Sequence, residues 1–94
     1  MAFGLTALGM GIAIAPDGKQ VYVGVNVPGD AGVLEVIDTA RREVVATAPV
    51  GMRPFDVDVA PDGSQVYATN HDSYDLTIVE VGSWSTDSVL VDPY

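Results

Sequence analysis

Two aspartates, one histidine and one arginine are the side chains whose types and spacing could do chemistry. Asp56 and Asp58 lie two positions apart in an alternating apolar run, so on a strand both carboxylates point to one face of the sheet. Two carboxylates on one face can share a proton or bind a cation. His71 is the chain's single histidine and its one possible triad base, and Arg53 is placed to neutralise the two acids.

Motifs of known catalytic and cofactor sites are missing from the sequence. With one His and no Cys there is no zinc-ligand spacing, and neither a G-x-S-x-G elbow, a P-loop nor a dinucleotide-binding glycine fingerprint occurs. Asp72 and Ser73 beside His71 are typical of a loop, so we expect an exposed loop histidine. We therefore assign no catalytic, cofactor-binding or metal-binding residue and keep the four side chains above as ligand candidates.

The charge is acidic and unevenly distributed. Thirteen Asp and Glu face four Lys and Arg, for a formal net charge of −9. Residues 1–53 carry five of the acids and all four bases, whereas residues 54–94 carry eight acids and no base. Such a chain repels nucleic-acid phosphates and anionic lipid surfaces, so we expect neither nucleic-acid binding nor membrane insertion. Most of the acids are expected to form a solvated surface.

An internal repeat organises the chain. Residues 12–23 align with residues 57–68 at an offset of 45, with seven of the twelve positions identical and two more exchanging Ile for Val. A one-residue insertion before Asn26 changes the offset to 44, which pairs Leu34 with Ile78 and Pro49 with Pro93. The likeness spans both halves, so residues 1–94 form one segment of two repeats, about 9–50 and 51–94.

Each repeat predicts four short strands rich in Val, Ile and Tyr. The predicted strands are Met10–Ala15, Gln20–Val25, Val33–Asp38 and Glu43–Ala48, then Phe55–Ala60, Gln65–Thr69, Leu76–Val81 and Asp87–Val91. No stretch has a helical apolar period, and no connection is long enough for a crossover helix. A period near 44 residues therefore predicts an all-β fold: two consecutive four-stranded antiparallel β-propeller blades, an incomplete propeller.

Turn residues separate the predicted strands. Pro16-Asp17-Gly18 and Pro61-Asp62-Gly63 each supply a fixed φ, a side chain that can bond to the local backbone and a residue free to take positive φ. Asn26 and Asn70 are expected to have similar turn roles. Asp38-Thr39 predicts a turn closed by a side chain, and we expect Gly82 to replace that aspartate in the second repeat.

These residues resemble the YVTN β-propeller repeat. Ala60-Pro61-Asp62-Gly63 is followed by Tyr67-Ala68-Thr69-Asn70, one letter from Y-V-T-N, and the first repeat has the looser Tyr22-Val23-Gly24-Val25-Asn26. Val36-Ile37-Asp38-Thr39 and Val44-Val45-Ala46-Thr47 are also similar to the family's third and fourth strands. The second repeat departs from it, with Val81-Gly82-Ser83-Trp84 in place of the I-D-T turn.

The resemblance implies blade architecture and a broad choice of functions. It implies a non-enzymatic binding or structural module of a larger secreted or cell-surface propeller, such as a surface-layer protein. The alternative is a fragment of a propeller enzyme, a lactonase-like hydrolase or a cofactor-bearing oxidoreductase subunit, whose catalytic residues lie in other blades. In either, Asp56 and Asp58 would face the central channel, with Arg53 and His71 nearby.

Localisation and assembly are further expectations. Ala13-Ile14-Ala15 looks like a signal-peptide cleavage site, but no Lys or Arg precedes the apolar stretch, and Ile12–Ala15 has a counterpart in the second repeat. A secreted or cell-envelope location therefore follows from the resemblance alone. A blade is apolar on both faces, so we expect the partners to be further blades of a parent protein or other copies in a ring. A separate protein or small-molecule ligand stays open.

Overall fold

A computed structural model describes residues 8–91 of the chain, and these fold into eight strands. They are β1 (Leu8–Ile14), β2 (Gln20–Asn26), β3 (Ala31–Asp38), β4 (Glu43–Met52), β5 (Pro54–Val59), β6 (Gln65–Asn70), β7 (Asp75–Glu80) and β8 (Thr86–Leu90). All eight predicted strands are confirmed, because β-branched and aromatic residues between turn sequences suit a pleated, half-buried surface. Pro93 lies outside the described residues, as does the segment before Leu8.

Two antiparallel sheets account for all the strands. Blade one has the order β1-β2-β3-β4 and blade two has the order β5-β6-β7-β8, and every pair of neighbours is antiparallel. The blades join at Arg53, whose φ of 58° turns the chain from β4 into β5. The fold is thus all-β, with two consecutive four-stranded blades that do not close a ring. The described residues include no helix of a length and apolarity that could span a membrane.

The strand register corrects part of the sequence alignment. Tyr22 lies opposite Val36 in blade one, and Tyr67 lies opposite Ile78 in blade two. Since the two tyrosines are equivalent, Ile78 is the counterpart of Val36, and the predicted pairing of Leu34 with Ile78 is wrong. The loops between β2 and β3 and between β6 and β7 each have four residues, but β2 and β3 have seven and eight residues whereas β6 and β7 have six each, so the first hairpin is the longer one.

Both Pro-Asp-Gly segments form the predicted turns. Gly18 and Gly63 have φ of 73° and 78°, which glycine adopts without steric cost. Their amides donate to Ala15 and Ala60, each at 2.8 Å. The side chains of Asp17 and Asp62 accept hydrogen bonds from the amides two residues later, at 2.9 and 3.0 Å. The role of these aspartates is therefore to shape the turns.

The turn after the third strand is closed in two different ways. In blade one, the Asp38 carboxylate accepts hydrogen bonds from the amides of Ala40 and Arg41 at 2.9 and 2.8 Å, as predicted. In blade two the position of Asp38 is occupied by Glu80, because each lies opposite the first residue of the second strand. The expectation that Gly82 replaces the aspartate is therefore wrong, although Gly82 does take a φ of 103° in this turn.

The core lies between the blades. Residues directly opposite in an antiparallel ladder share a face, so the ladders define which side of each blade meets the other. The buried residues of the packed face of blade one are Tyr22, Leu34, Val36, Ala48 and Val50, and those of blade two are Val57, Val66, Ala68 and Val79. Trp84, from the turn after β7, packs against this cluster and therefore contributes to the contact between the blades.

Candidate functional site

Asp56 and Asp58 lie on the outward side of β5, as their spacing predicts. Asp56 is opposite Thr69 and Asp58 is opposite Tyr67, whereas Val57 between them is buried against blade one. Both carboxyl side chains are exposed. The Asp58 Oδ1 accepts a hydrogen bond from the Val59 amide at 2.9 Å. Two blades enclose no channel, so the channel-facing position of these acids stays a prediction.

Arg53 does not pair with these acids. Its Nη1 lies 3.3 Å from Oδ1 of Asp72, and both side chains are about half exposed. The adjoining backbone fixes this geometry, because the Arg53 carbonyl accepts a hydrogen bond from the His71 amide at 2.9 Å. The pair therefore holds the β6–β7 loop against the junction of the blades. As an exposed pair it contributes at most about 1 kcal/mol to stability.

His71 is an exposed loop residue beside Phe55, as the sequence predicts. The two rings have centroids 5.7 Å apart, with planes tilted by 41°. Phe55 stands at a break in the register between Pro54 and Asp56, the irregularity of a β-bulge, which turns its ring out of the ladder. Sequence reasoning did not foresee this bulge, although the same irregularity occurs between Gly9 and Gly11 in blade one.

A shallow cleft of about 250 Å³ brings two of the four candidates together. Its lining comprises Phe55, Asp56, Thr69, Asn70, His71, Tyr74, Asp75 and Val91. Asp56 and His71 share this cleft, whereas Asp58 and Arg53 do not line it. Two acids, an imidazole and two aromatic rings can make a weak ligand-binding surface. Among the described residues, the lining of the cleft contains no serine and no nucleophile activated by a neighbouring base.

A buried polar cluster beneath the blade junction was missed at the sequence level. Asn70 is 3% exposed, and its Nδ2 donates to Oδ1 of Asp75 at 3.0 Å and to Oγ1 of Thr77 at 2.8 Å. Ser73 Oγ donates to the same Asp75 oxygen at 2.6 Å and accepts from the Met52 amide at 3.0 Å. The cluster ties β4 to the β6–β7 loop. Its sequence signal is Asn70 at the end of the Tyr67-Ala68-Thr69-Asn70 tetrad, which we interpreted as a turn residue.

A second cleft, of about 440 Å³, lies between the two Pro-Asp-Gly turns. Tyr22 lines it, and burial raises the pKa of the phenol, helped by the negative charge of Asp17. Asp62 also lines it, and hydrogen bonds from the Ser64 hydroxyl and amide lower the pKa of its carboxyl. Both shifts follow from turn and core geometry, so neither group is set up as a general acid or base near neutral pH.

Metal binding has no preformed centre in the part of the chain that the structure describes. Within residues 8–91 no three His, Asp or Glu side chains converge closely enough to hold an ion. Asp56 and Asp58 offer at most two carboxylates on one solvated face, whereas Ca²⁺ takes six to eight oxygen ligands. The two carboxylates are therefore better suited to contacts with another protein surface than to binding a metal ion.

Comparisons with known proteins identify the fold alone. Comparison with protein-family models gives no match, and comparison with curated proteins gives none either. Among solved structures the chain is similar to hydrazine synthase from Kuenenia stuttgartiensis, with 21% identity and a TM-score of 0.81 over 92% of this chain and 24% of that one. It is also similar to a putative 6-phosphogluconolactonase from Bacteroides fragilis, with 19% identity and a TM-score of 0.64 over 86% of this chain and 25% of that one.

Both similar structures are propeller-type folds. This chain spans about a quarter of the length of each. At identities of 21% and 19%, the likeness carries architecture and not activity. The described residues of this chain are therefore two blades of a β-propeller.

Proposed function

We propose that this chain is a non-enzymatic β-propeller repeat module of the YVTN type, which binds or scaffolds as part of a larger propeller. One observation supports the proposal. Each blade packs one of its two faces against the other blade, and no described residues form a sheet against its opposite face, which we call the open face. The open faces of the two blades are the main contact surfaces. Asp56 and His71 add only a weak ligand-binding surface in their shared cleft.

The first strands of the two blades, β1 and β5, differ in how far they are covered. Ile12 in β1 is equivalent to Val57 in β5 through the repeat. Val57 is packed under blade one and is 8% exposed, whereas Ile12 is 67% exposed and Ile14 is 61% exposed. Burying an aliphatic side chain of this size stabilises a protein by about 1.5–3 kcal/mol. The face carrying Ile12 and Ile14 therefore has the composition of a contact surface.

The partners that fit these faces are other blades. In the proposal they come from a parent protein, since propeller contacts are heterologous and successive blades can close a ring. A secreted or cell-envelope location is proposed with the YVTN resemblance and has no other support. An unidentified protein or small molecule could use the cleft beside His71 as well.

Light scattering after size exclusion tests the proposal. We expect purified chain to elute above its monomer mass of 9.8 kDa or to aggregate, because soluble monomers rarely expose apolar patches beyond roughly 300–600 Å². A monodisperse species of 9.8 kDa that unfolds cooperatively would contradict the proposal. Variant Ile12→Thr/Ile14→Thr should shift the distribution toward monomer, and Leu90→Thr, an exposed change on outer strand β8 that lies on neither open face, serves as the control.

A second candidate function is a piece of a propeller enzyme. It is favoured by the names of the two similar structures, a synthase and a lactonase. In that case the catalytic groups lie in blades other than these two, so we expect no turnover of lactones or generic esters by this chain. Turnover that disappears in His71→Ala or Asp58→Ala would show that the described residues carry the chemistry themselves.

A further inference from the structure

The open face of blade two differs from its counterpart in a way that limits what can pack on it. This face consists of Asp56 and Asp58 on β5, Gln65, Tyr67 and Thr69 on β6, Leu76, Ile78 and Glu80 on β7, and Asp87 and Val89 on β8, as the ladders show. In the repeat it is equivalent to the packed face of blade one, which blade two covers. The inner strand of that packed face carries Gly11 and Ala13 where blade two carries the two aspartates.

Gly11 shows how closely consecutive blades approach. A Cβ atom at position 11 would lie 2.9 Å from the Phe55 carbonyl oxygen and 2.9 Å from the Val57 amide nitrogen. Real Cβ atoms essentially never come so near to backbone, so the contact between β1 and β5 requires glycine. Nearby, a Cβ at Gly24 would lie 3.0 Å from the Val57 side chain. Blade two has Asp56 and Thr69 at these two places.

A sheet docked on blade two at the same spacing would therefore meet the Asp56 side chain with its own backbone. It would also enclose the carboxylates of Asp56 and Asp58 in an apolar contact. Burying an unpaired carboxylate costs several kcal/mol, more than one aliphatic contact returns. The docked sheet must lie further out, and it must bring a positive charge to the two acids.

A second copy of this chain does not meet these requirements. Its matching surface is the open face of blade one, where Ile12 occupies the repeat position of Val57, the residue whose amide approaches Gly11 in the observed contact. The ladders put Glu35 on that face as well, opposite Val23. Lys19, Arg41 and Arg42 belong to turns of blade one, and Arg53 is held by Asp72 at the junction. Two copies would therefore bring acids together with no base between them.

We propose that the open face of blade two receives a sheet that presents a Lys or Arg side chain opposite Asp56 and Asp58, and that these carboxylates exclude a second copy of this chain. The inference rests on the proposed function and names the partner of its open face. The long side chain of Lys or Arg fills the wider spacing that Asp56 imposes, and its charge matches a face carrying four acids and no base.

The first experiment removes the two carboxylates that, in our proposal, exclude a second copy of the chain. Variant Asp56→Gly/Asp58→Ala gives blade two the inner-strand residues of blade one. We expect its self-association constant, from sedimentation equilibrium, to rise by about tenfold or more. The control Asp30→Asn/Glu43→Gln removes two exposed acids from blade one and should leave the constant unchanged. Equal constants for the two double variants would overturn the exclusion.

The second experiment adds a basic side chain to the open face of blade one. Variant Ile12→Lys places an ammonium on the blade-one face that a second copy would offer to Asp56, and Ile12→Glu is its matched control. We expect Ile12→Lys to associate about tenfold or more tightly than Ile12→Glu, with a gain that declines as salt is added. Adding Asp56→Asn/Asp58→Asn to the Ile12→Lys chain should abolish the gain. Indistinguishable association of the Lys and Glu variants would overturn the basic-partner assignment.

Failure of this inference is distinguishable from failure of the proposed function. The mass of the unaltered chain tests whether its faces need partners at all. The differences between matched variants test only the role of Asp56 and Asp58.

Discussion

The rings of Tyr22 and Trp84 meet across the two blades, with centroids 6.3 Å apart and planes inclined by 56°. Tyr22 belongs to the second strand of blade one, and Trp84 belongs to the turn after the third strand of blade two. Trp84 reaches this place with a φ of 59°, a conformation that non-glycine residues adopt at a cost. Because the chain has one tryptophan, this contact also makes its fluorescence a probe of the blade interface.

Replacing Trp84 should weaken the contact between the blades. Trp84→Ala removes a half-buried ring from the core and its tilted pairing with Tyr22, so we expect a loss of about 2–4 kcal/mol in the free energy of unfolding. Urea denaturation followed by circular dichroism measures it. Trp84→Phe keeps an aromatic ring and should lose less than half as much. Equal losses for the two variants would mean that the backbone turn, and not the ring, is what matters.

Alkaline pH should destabilise the fold through Tyr22. Burial, assisted by the charge of Asp17, raises the pKa of this phenol above 10.0, so the folded chain holds the proton more tightly than the unfolded chain. The stabilisation is therefore fully present below pH 10.0 and is lost as the pH rises through the folded pKa. Denaturation midpoints measured from pH 8 to pH 11 should fall for the unaltered chain and fall less for Tyr22→Phe.

The matched control for this prediction is Tyr67→Phe. Tyr67 donates a hydrogen bond to Gln65 at 2.8 Å, as Tyr22 does to Gln20 at 3.0 Å, but it lies on the open face of blade two. The control should keep the alkaline decline that Tyr22 causes. If Tyr22→Phe retains the full decline, another group is responsible.

A side chain at Gly51 should disrupt the buried polar cluster. A Cβ there would lie 2.5 Å from Ser73 Oγ, 2.6 Å from Asp75 Oδ1 and 2.7 Å from Asn70 Nδ2. These atoms are held by one another, so we expect Gly51→Ala to cost about 1–3 kcal/mol by overpacking. Thr47→Ala, an exposed change on the same strand, should stay within about 0.5 kcal/mol. A neutral Gly51→Ala would show that the cluster shifts freely.

Divalent cations should bind weakly to Asp56 and Asp58. The two carboxylates are solvated, and no third acid converges on them among residues 8–91. We expect calorimetric titration with Ca²⁺ to give a dissociation constant in the millimolar range or no measurable heat. A constant near the micromolar range that is lost in Asp58→Ala would identify a stronger site than the geometry suggests.

Features that depend on residues close together in the chain could be predicted from the sequence. The strands follow from β-branched and aromatic residues, and the turns at Gly18 and Gly63 follow from Pro-Asp-Gly, because φ preferences and side-chain-to-backbone bonds act over a few positions. The shared face of Asp56 and Asp58 follows from the period of two in a strand. The repeat then predicted two blades without any knowledge of their contact.

Contacts between side chains that are far apart in the sequence could not be predicted in this way. Arg53 pairs with Asp72 instead of Asp56, and Trp84 packs on Tyr22, because each contact joins residues that are distant in sequence. The counterpart of Val36 is Ile78 because hydrogen-bonded register, and not sequence likeness, aligns the third strands. The effect of Asp56 on what can pack against blade two follows from the close approach of Gly11 to the backbone of Phe55. The distance between two sheets is set by packing and is not encoded in either strand alone.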